Sequence, residues 1–262
     1  MSLAGNWADL RDRVLSAIAM IAVGAVALWA GGVIWHVLLA VLVGLMIWEL
    51  ARMQSPDQPE AARTLAMLFG AALLLASYLS GAFALPVLLA PAMVALSQLK
   101  TGRSTFMIYG SVIMLAGYAL IDLRDSHGAI WELWLVVVVI TSDVMGYFAG
   151  RLIGGPKFWP AVSPKKTWSG TIAGWAGALL VGSVFIALTN SGPGLIALSV
   201  AVAMAAQMGD IAESAIKRRA GVKDSSNLIP GHGGLLDRFD GMIGAALLLL
   251  VIRAIATFPP GL

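Results

Sequence analysis

Residues 214–240 read SAIKRRAGVKDSSNLIPGHGGLLDRFD and lie between two long apolar runs, 193–214 and 240–258. About 20 consecutive apolar residues in a helix cross a hydrocarbon core of about 30 Å, so the pattern is that of two membrane spans joined by a polar connection. That connection is dense in chemistry. It holds a basic cluster around Lys217, the turn Pro230-Gly231-His232-Gly233-Gly234, and the acids Asp237 and Asp240. Cations at helix ends near water cost little and by themselves say little. Carboxylates differ: Asp210 and Glu213 lie upstream in apolar sequence, and Asp240 runs directly into GMIGAALLLLVI. Acids at or within a bilayer boundary are costly and usually functional.

Composition extends the reading to the whole chain. Of 262 residues, 59% are hydrophobic and 12% charged, with a mean hydropathy of +0.87; soluble proteins carry about 25% charged residues. An all-α, polytopic integral membrane protein follows, read as a single catalytic domain over 1–262. The net charge of +3 does not point to nucleic acid, because the basic residues fall in membrane-flanking loops, where topology and anionic phosphate ligands account for them. The absence of cysteine excludes disulfides, thiolate metal sites and a cysteine nucleophile. The first apolar run is long and is preceded by NWADLRDR, which carries acids as well as arginines. It reads as a retained span.

The pattern predicts nine spans: 14–32, 33–50, 63–80, 82–99, 105–123, 129–150, 170–190, 193–214 and 240–258. Pro86 and Pro91 predict a kink or a re-entrant turn in the fourth. With the N-terminus cytoplasmic, 15 of the 17 basic residues fall on the inner side, leaving Arg124 and Arg253 outside. The opposite orientation would violate the positive-inside tendency. Loops 151–169 and 215–239 then both face the cytoplasm and form the active-site face. The membrane concerned is expected to be a bacterial inner membrane.

Three constellations carry the candidate chemistry. Asp210, Glu213, Ser214 and Lys217 share one helical face at i, i+3, i+4 and i+7. The plainer account makes Glu213 and Lys217 an ordinary i,i+4 ion pair, but Asp210 lies a turn deeper, where an unpaired carboxylate is expensive. Asp237 and Asp240 begin the ninth span at i,i+3. One of them could serve simply as a helix cap; a cap explains neither Arg238 between them nor the glycine turn before them. Gly231, Gly233 and Gly234 permit close backbone approach and could present N–H groups to phosphate. The third constellation is SDVMGYFAGRLIGGPKFWPAVSPKKTWSG, residues 142–170, in which Asp143, Tyr147 and Arg151 share a face and Lys165 and Lys166 follow a Ser-Pro turn. Trp159 and Trp168 read as interfacial aromatics. His232 has no nearby partner for a zinc site and suits hydrogen bonding or phosphate contact. His36 and His127 fall on the outer side, away from this chemistry.

Aspartates offer oxygen ligands that suit a hard cation such as Mg²⁺, and lysine and arginine suit phosphate oxygens. Carboxylates in the membrane beside basic loops therefore suggest phosphoryl or nucleotidyl transfer onto a lipid, which needs no side-chain nucleophile. The segment S-x-x-K-R-x4-K-D-x5-P-G-H-G-G-x-x-D-R-x-D, Ser214 to Asp240, resembles the signature of the phosphatidate cytidylyltransferases, the CDP-diacylglycerol synthases. Asp143, Tyr147, Gly150, Arg151 and VSPKKTW resemble a second block of that family, and the nine-span layout is similar as well.

The resemblance implies that CTP and phosphatidic acid react to give CDP-diacylglycerol and pyrophosphate, an early step of phospholipid biosynthesis, with Mg²⁺ required and K⁺ assisting. It implies metal binding by Asp210 and Asp237, with Asp240 a third carboxylate. Lys217, Arg218, Lys223 and Arg238 map onto basic signature positions and are expected to hold phosphates. Asp143, Arg151, Lys165, Lys166, Ser214, His232, Gly233 and Gly234 complete the expected substrate-binding set, and a homodimer in the bilayer is implied. Two places depart from the family pattern: Val144-Met145-Gly146 replaces a run of small residues, and Ser169 stands where an acid is usual. A different class, an ion- or proton-coupled transporter built on Asp143, Asp210 and Glu213, would place polar residues deep in several spans; here they crowd toward one face.

Overall fold

A computed structural model describes residues 3–261, with side chains from Arg13 onward; Met1, Ser2 and Leu262, and the side chain of Arg11 counted in the topology, lie outside the described residues. Among the described residues the chain forms nine helices and one short hairpin. In order these are α1 (Leu3–Ala30), α2 (Gly32–Gln54), α3 (Pro59–Ala76), α4 (Gly81–Gln98), α5 (Arg103–His127), α6 (Ala129–Leu152), β1 (Lys157–Trp159), β2 (Ser163–Thr167), α7 (Trp168–Thr189), α8 (Gly194–Arg219) and α9 (Leu236–Ile255). Each expected span has its helix. Among the described residues seven of these helices are long and apolar enough to cross a membrane. Of the other two, α4 is an apolar helix of 18 residues, as long as α3, and α9 carries Asp237, Arg238, Asp240 and Arg253. α4 runs as one helix through Pro86 and Pro91.

The chain divides into two compact units, 1–129 with 220–239, and 130–219 with 240–262. In the first, α2 packs on α3 and α5, and α4 packs against α3 and α5. Val43, Ile47 and Leu50 of α2 are buried with Leu65, Phe69 and Leu73 of α3 and Phe106 and Ile113 of α5. A polar tie joins three of these helices, with His36 Nε2 at 2.7 Å from Asp125 Oδ2 and Ser77 Oγ at 3.2 Å from His36 Nδ1. Apolar side chains outside this core, among them Ile21, Val26 and Trp29 of α1, remain exposed. Lipid provides their environment in a membrane protein.

In the second unit, α7 packs along α8, and Trp134 of α6 is fully buried with its indole N–H donating to Ser199 Oγ at 3.0 Å. α8 and α9 approach closely through glycines: a Cβ on Gly209 would meet Gly244 Cα at 3.2 Å and would overlap the carbonyl oxygen of Asp240. Segment 151–169, expected as a polar loop, contains the antiparallel β1–β2 hairpin, with Lys157 opposite Thr167 and Trp159 opposite Ser163. Phe158 and Trp168 pack edge to face at 4.8 Å across its open end.

Candidate active site

The second unit carries an open cavity of about 540 Å³ whose walls come from α6, β2, α7 and α8. From α6, Asp143, Tyr147 and Arg151 line it at four-residue spacing, on one face as the helical period requires. The Arg151 guanidinium donates to Tyr147 Oη at 2.8 Å. α6 and α7 meet without intervening side chains, since a Cβ on Gly170 would stand 2.5 Å from Gly146 O. The hairpin brings Lys165 and Lys166 to the same cavity. It ends at Thr167, whose Oγ1 caps α7 by accepting from Gly170 N at 3.2 Å. α8 contributes Gln207 and Asp210. Gln207 is fixed from three sides: its Oε1 accepts from Trp175 Nε1 at 3.0 Å, and its Nε2 lies 3.3 Å from both Ser142 Oγ and Thr171 O.

The charges of this cavity are arranged in pairs. Lys166 Nζ forms an ion pair with Asp210 Oδ2 and reaches Gln207 O at 3.4 Å. Asp210 Oδ1 accepts from Ser214 Oγ at 3.2 Å. Asp143, Asp210 and Asp240 lie within Coulombic range of one another, with Lys166 acting on Asp143 and Lys217 on Asp240. Asp240 Oδ1 accepts the Gly241 N–H at 2.7 Å. Lys217 Nζ pairs with Glu213 Oε2 at 2.5 Å, the i,i+4 contact of the plainer account. Arg218 is exposed.

The glycine turn belongs to the first unit, as do Lys223, His232, Gly233, Gly234, Asp237 and Arg238. Asp237 is deeply engaged there. Its Oδ2 accepts from Ser225 N at 2.9 Å, Ser225 Oγ at 3.0 Å and Gly234 N at 2.9 Å. Gly231 and Gly233 adopt φ of 74° and 80°, the left-handed region where a Cβ is unfavourable. Gly234 is needed for space: a Cβ there would lie 2.7 Å from Glu49 Oε1. His232 Nδ1 stands 2.9 Å from Ser16 Oγ, and its carbonyl accepts from Arg238 Nε at 3.0 Å. Lys223 and Arg238 are exposed.

Sequence reasoning passed over Glu49. It is fully buried in α2 and accepts four hydrogen bonds from the segment leading into α9. A lone acid inside WELARM, within an otherwise apolar run, was the available signal.

Among the described residues no three His, Cys, Asp or Glu side chains form a preformed metal cage. Magnesium takes one or two carboxylates from protein and keeps waters and substrate phosphates as its other ligands. Asp210, with Asp240 in the same unit, supplies an oxygen-only donor set of that kind.

The Cytidylyltransferase family matches residues 11–256. The chain belongs to this family. It is 34% identical over 263 residues to phosphatidate cytidylyltransferases of Brucella abortus and Brucella suis, covering 96% of this chain and 96% of each relative. Over a shorter stretch it is 44% identical to the phosphatidate cytidylyltransferase of Haemophilus influenzae, covering 45% of this chain and 44% of that protein. Within this cytidylyltransferase the divergent positions have structural work. Ser169 Oγ donates to Gly154 O at 2.5 Å and pairs with Thr167 Oγ1 at 3.0 Å, tying the hairpin to the start of α7. Met145 packs over Gly177, Gly146 faces Gly170, and Val144 is exposed.

Proposed function

We propose that this chain joins CTP to phosphatidic acid, giving CDP-diacylglycerol and pyrophosphate. The observation that carries the reading is the cavity in which Arg151, Lys165 and Lys166 meet Asp143 and Asp210 at the ends of apolar helices, in a chain of the Cytidylyltransferase family. Cations at such a site bind phosphate oxygens, and the helices deliver a lipid acceptor. An oxygen of the phosphatidate phosphate attacks the α-phosphorus of CTP. The new P–O bond forms as the bond to the bridging oxygen of the β-phosphate breaks, and pyrophosphate leaves with that electron pair. Arg151, Lys165 and Lys166 orient the phosphates and neutralise them as charge moves to the leaving group.

Magnesium, held by Asp210 with Asp240, would supply Lewis-acid neutralisation of the phosphates, with K⁺ as an assisting cation; the resemblance implies Asp237, in the first unit, as a further metal carboxylate. Lys217, Arg218, Lys223 and Arg238 extend the positive field toward the nucleotide or the lipid headgroup. The bacterial relatives support an inner-membrane location, and the basic-residue count supports the N-terminus and the site facing the cytoplasm. Homodimerisation completes the proposal. Transport through the same carboxylates finds no support in the family.

Purified protein in detergent with Mg²⁺ and K⁺ is expected to release pyrophosphate from CTP only when phosphatidic acid is added. Release without the lipid, or none with it, would contradict the assignment.

A further inference from the structure

Glu49 lies one turn from the end of α2, between the fully buried Ile47, Leu50 and Ala51, and is itself 0% exposed. A carboxylate there is costly unless its oxygens are satisfied. They are satisfied by one short segment. Oε1 accepts from Leu235 N at 2.8 Å and Ser226 Oγ at 2.5 Å. Oε2 accepts from Leu236 N at 2.6 Å and Ser225 Oγ at 3.3 Å. Leu236 opens α9, so Glu49 caps that helix from a different helix, placing its negative charge where free N–H groups and the helix dipole favour it.

The same serine touches both acids. Ser225 Oγ lies 3.3 Å from Glu49 Oε2 and 3.0 Å from Asp237 Oδ2. Gly234, squeezed between Glu49 and Ser225, also donates its N–H to Asp237. Moving Glu49 therefore moves the backbone that fixes Asp237 and Arg238. We infer that Glu49 is a positioning residue of the cytidylyltransfer reaction: a cap supplied by a membrane helix that holds residues 225–236 and thereby sets the Asp237 carboxylate. This inference rests on the proposed activity.

The bonding pattern makes an unusual demand. Each carboxylate oxygen receives its own backbone N–H, and neither N–H can rotate away. An amide in place of the carboxylate would press an NH₂ against one of these donors in either orientation. Glu49→Gln, which keeps the volume, is therefore expected to be worse than Glu49→Asp, which keeps the charge with a shorter reach. A residue that merely fills space would rank them the other way.

The test measures kcat and KM for CTP on full-length protein in detergent. It adds thermal unfolding and the rate of tryptic cleavage after Lys223. Glu49→Gln is expected to lower kcat by about 10- to 100-fold at temperatures where the variant is folded. KM for CTP should change far less, cleavage after Lys223 should accelerate, and Glu49→Asp should recover part of the loss. Should Glu49→Gln fail to fold, Ser226→Ala decides, since it removes one donor from the same carboxylate. It is expected to lower kcat about two- to tenfold. An active parent with an equally active Glu49→Gln overturns the inference alone, as does unchanged kcat in a folded Ser226→Ala. An inactive parent overturns the functional reading, and the inference with it.

Discussion

Lys166 of the hairpin reaches Asp210 of α8 and closes an ion pair at the wall of the cavity. The pair joins the two residue classes on which the proposed function draws: a cation for the nucleotide and a carboxylate for magnesium. Both side chains are partly exposed, at 24% and 31%. Neither is locked away as a fully buried pair would be, which is what the proposed binding of phosphate and magnesium requires.

Asp210→Asn removes the carboxylate charge while preserving shape. Pyrophosphate release should fall by at least about 100-fold, as when one preorganised group at a phosphoryl or acyl centre is lost, with unchanged elution in gel filtration. Near-normal turnover would contradict the proposed metal-binding role of Asp210.

Lys166→Met keeps the aliphatic stem and discards the charge. We expect kcat/KM for CTP to fall about 10- to 100-fold, within the range of a lost charged hydrogen bond. Lys166→Arg should rescue poorly, because a planar fork does not replace a compact ammonium group.

How much of this was legible in the chain itself differs by element. Helix positions were readable because apolar runs of membrane length are hard to mistake, and the shared face of Asp143, Tyr147 and Arg151 followed from the helical period. The Glu213–Lys217 pair was readable for the same reason. The hairpin was not: Pro160, Pro164 and adjacent lysines hide any alternation, and its pairing is set by tertiary contacts. The Lys166–Asp210 and Glu49–Leu236 contacts were also hidden, since partners far apart in sequence leave no local period to detect.

Gly209→Ala tests the glycine contact between α8 and α9. The added methyl would overlap Asp240 O and crowd Gly244, so a loss of about 1–3 kcal/mol is expected, read as a lower thermal midpoint. Unchanged stability would show that the two helices can part without cost.

Chelation of divalent ions should abolish turnover, and Mg²⁺ should restore it. Ca²⁺, which prefers six to eight flexible oxygen ligands, should restore little. Activity that persists in chelator would contradict the magnesium assignment.

Because the chain has no cysteine, orientation can be read with single introduced thiols. Asn227 and Ser126 are both exposed. Asn227→Cys should react with a membrane-impermeant maleimide only in inverted vesicles, and Ser126→Cys only in right-side-out ones. The reverse pattern would overturn the cytoplasmic placement of the site.

The central claim is nucleotidyl transfer to a lipid phosphate, and following the label from two forms of CTP tests it most directly. With CTP labelled at the α-phosphorus, purified protein and phosphatidic acid should move the label into the organic phase as CDP-diacylglycerol. With CTP labelled at the γ-phosphorus, all label should remain in water as pyrophosphate. Label from the γ-position in the lipid, or no lipid label from the α-position, would contradict the account.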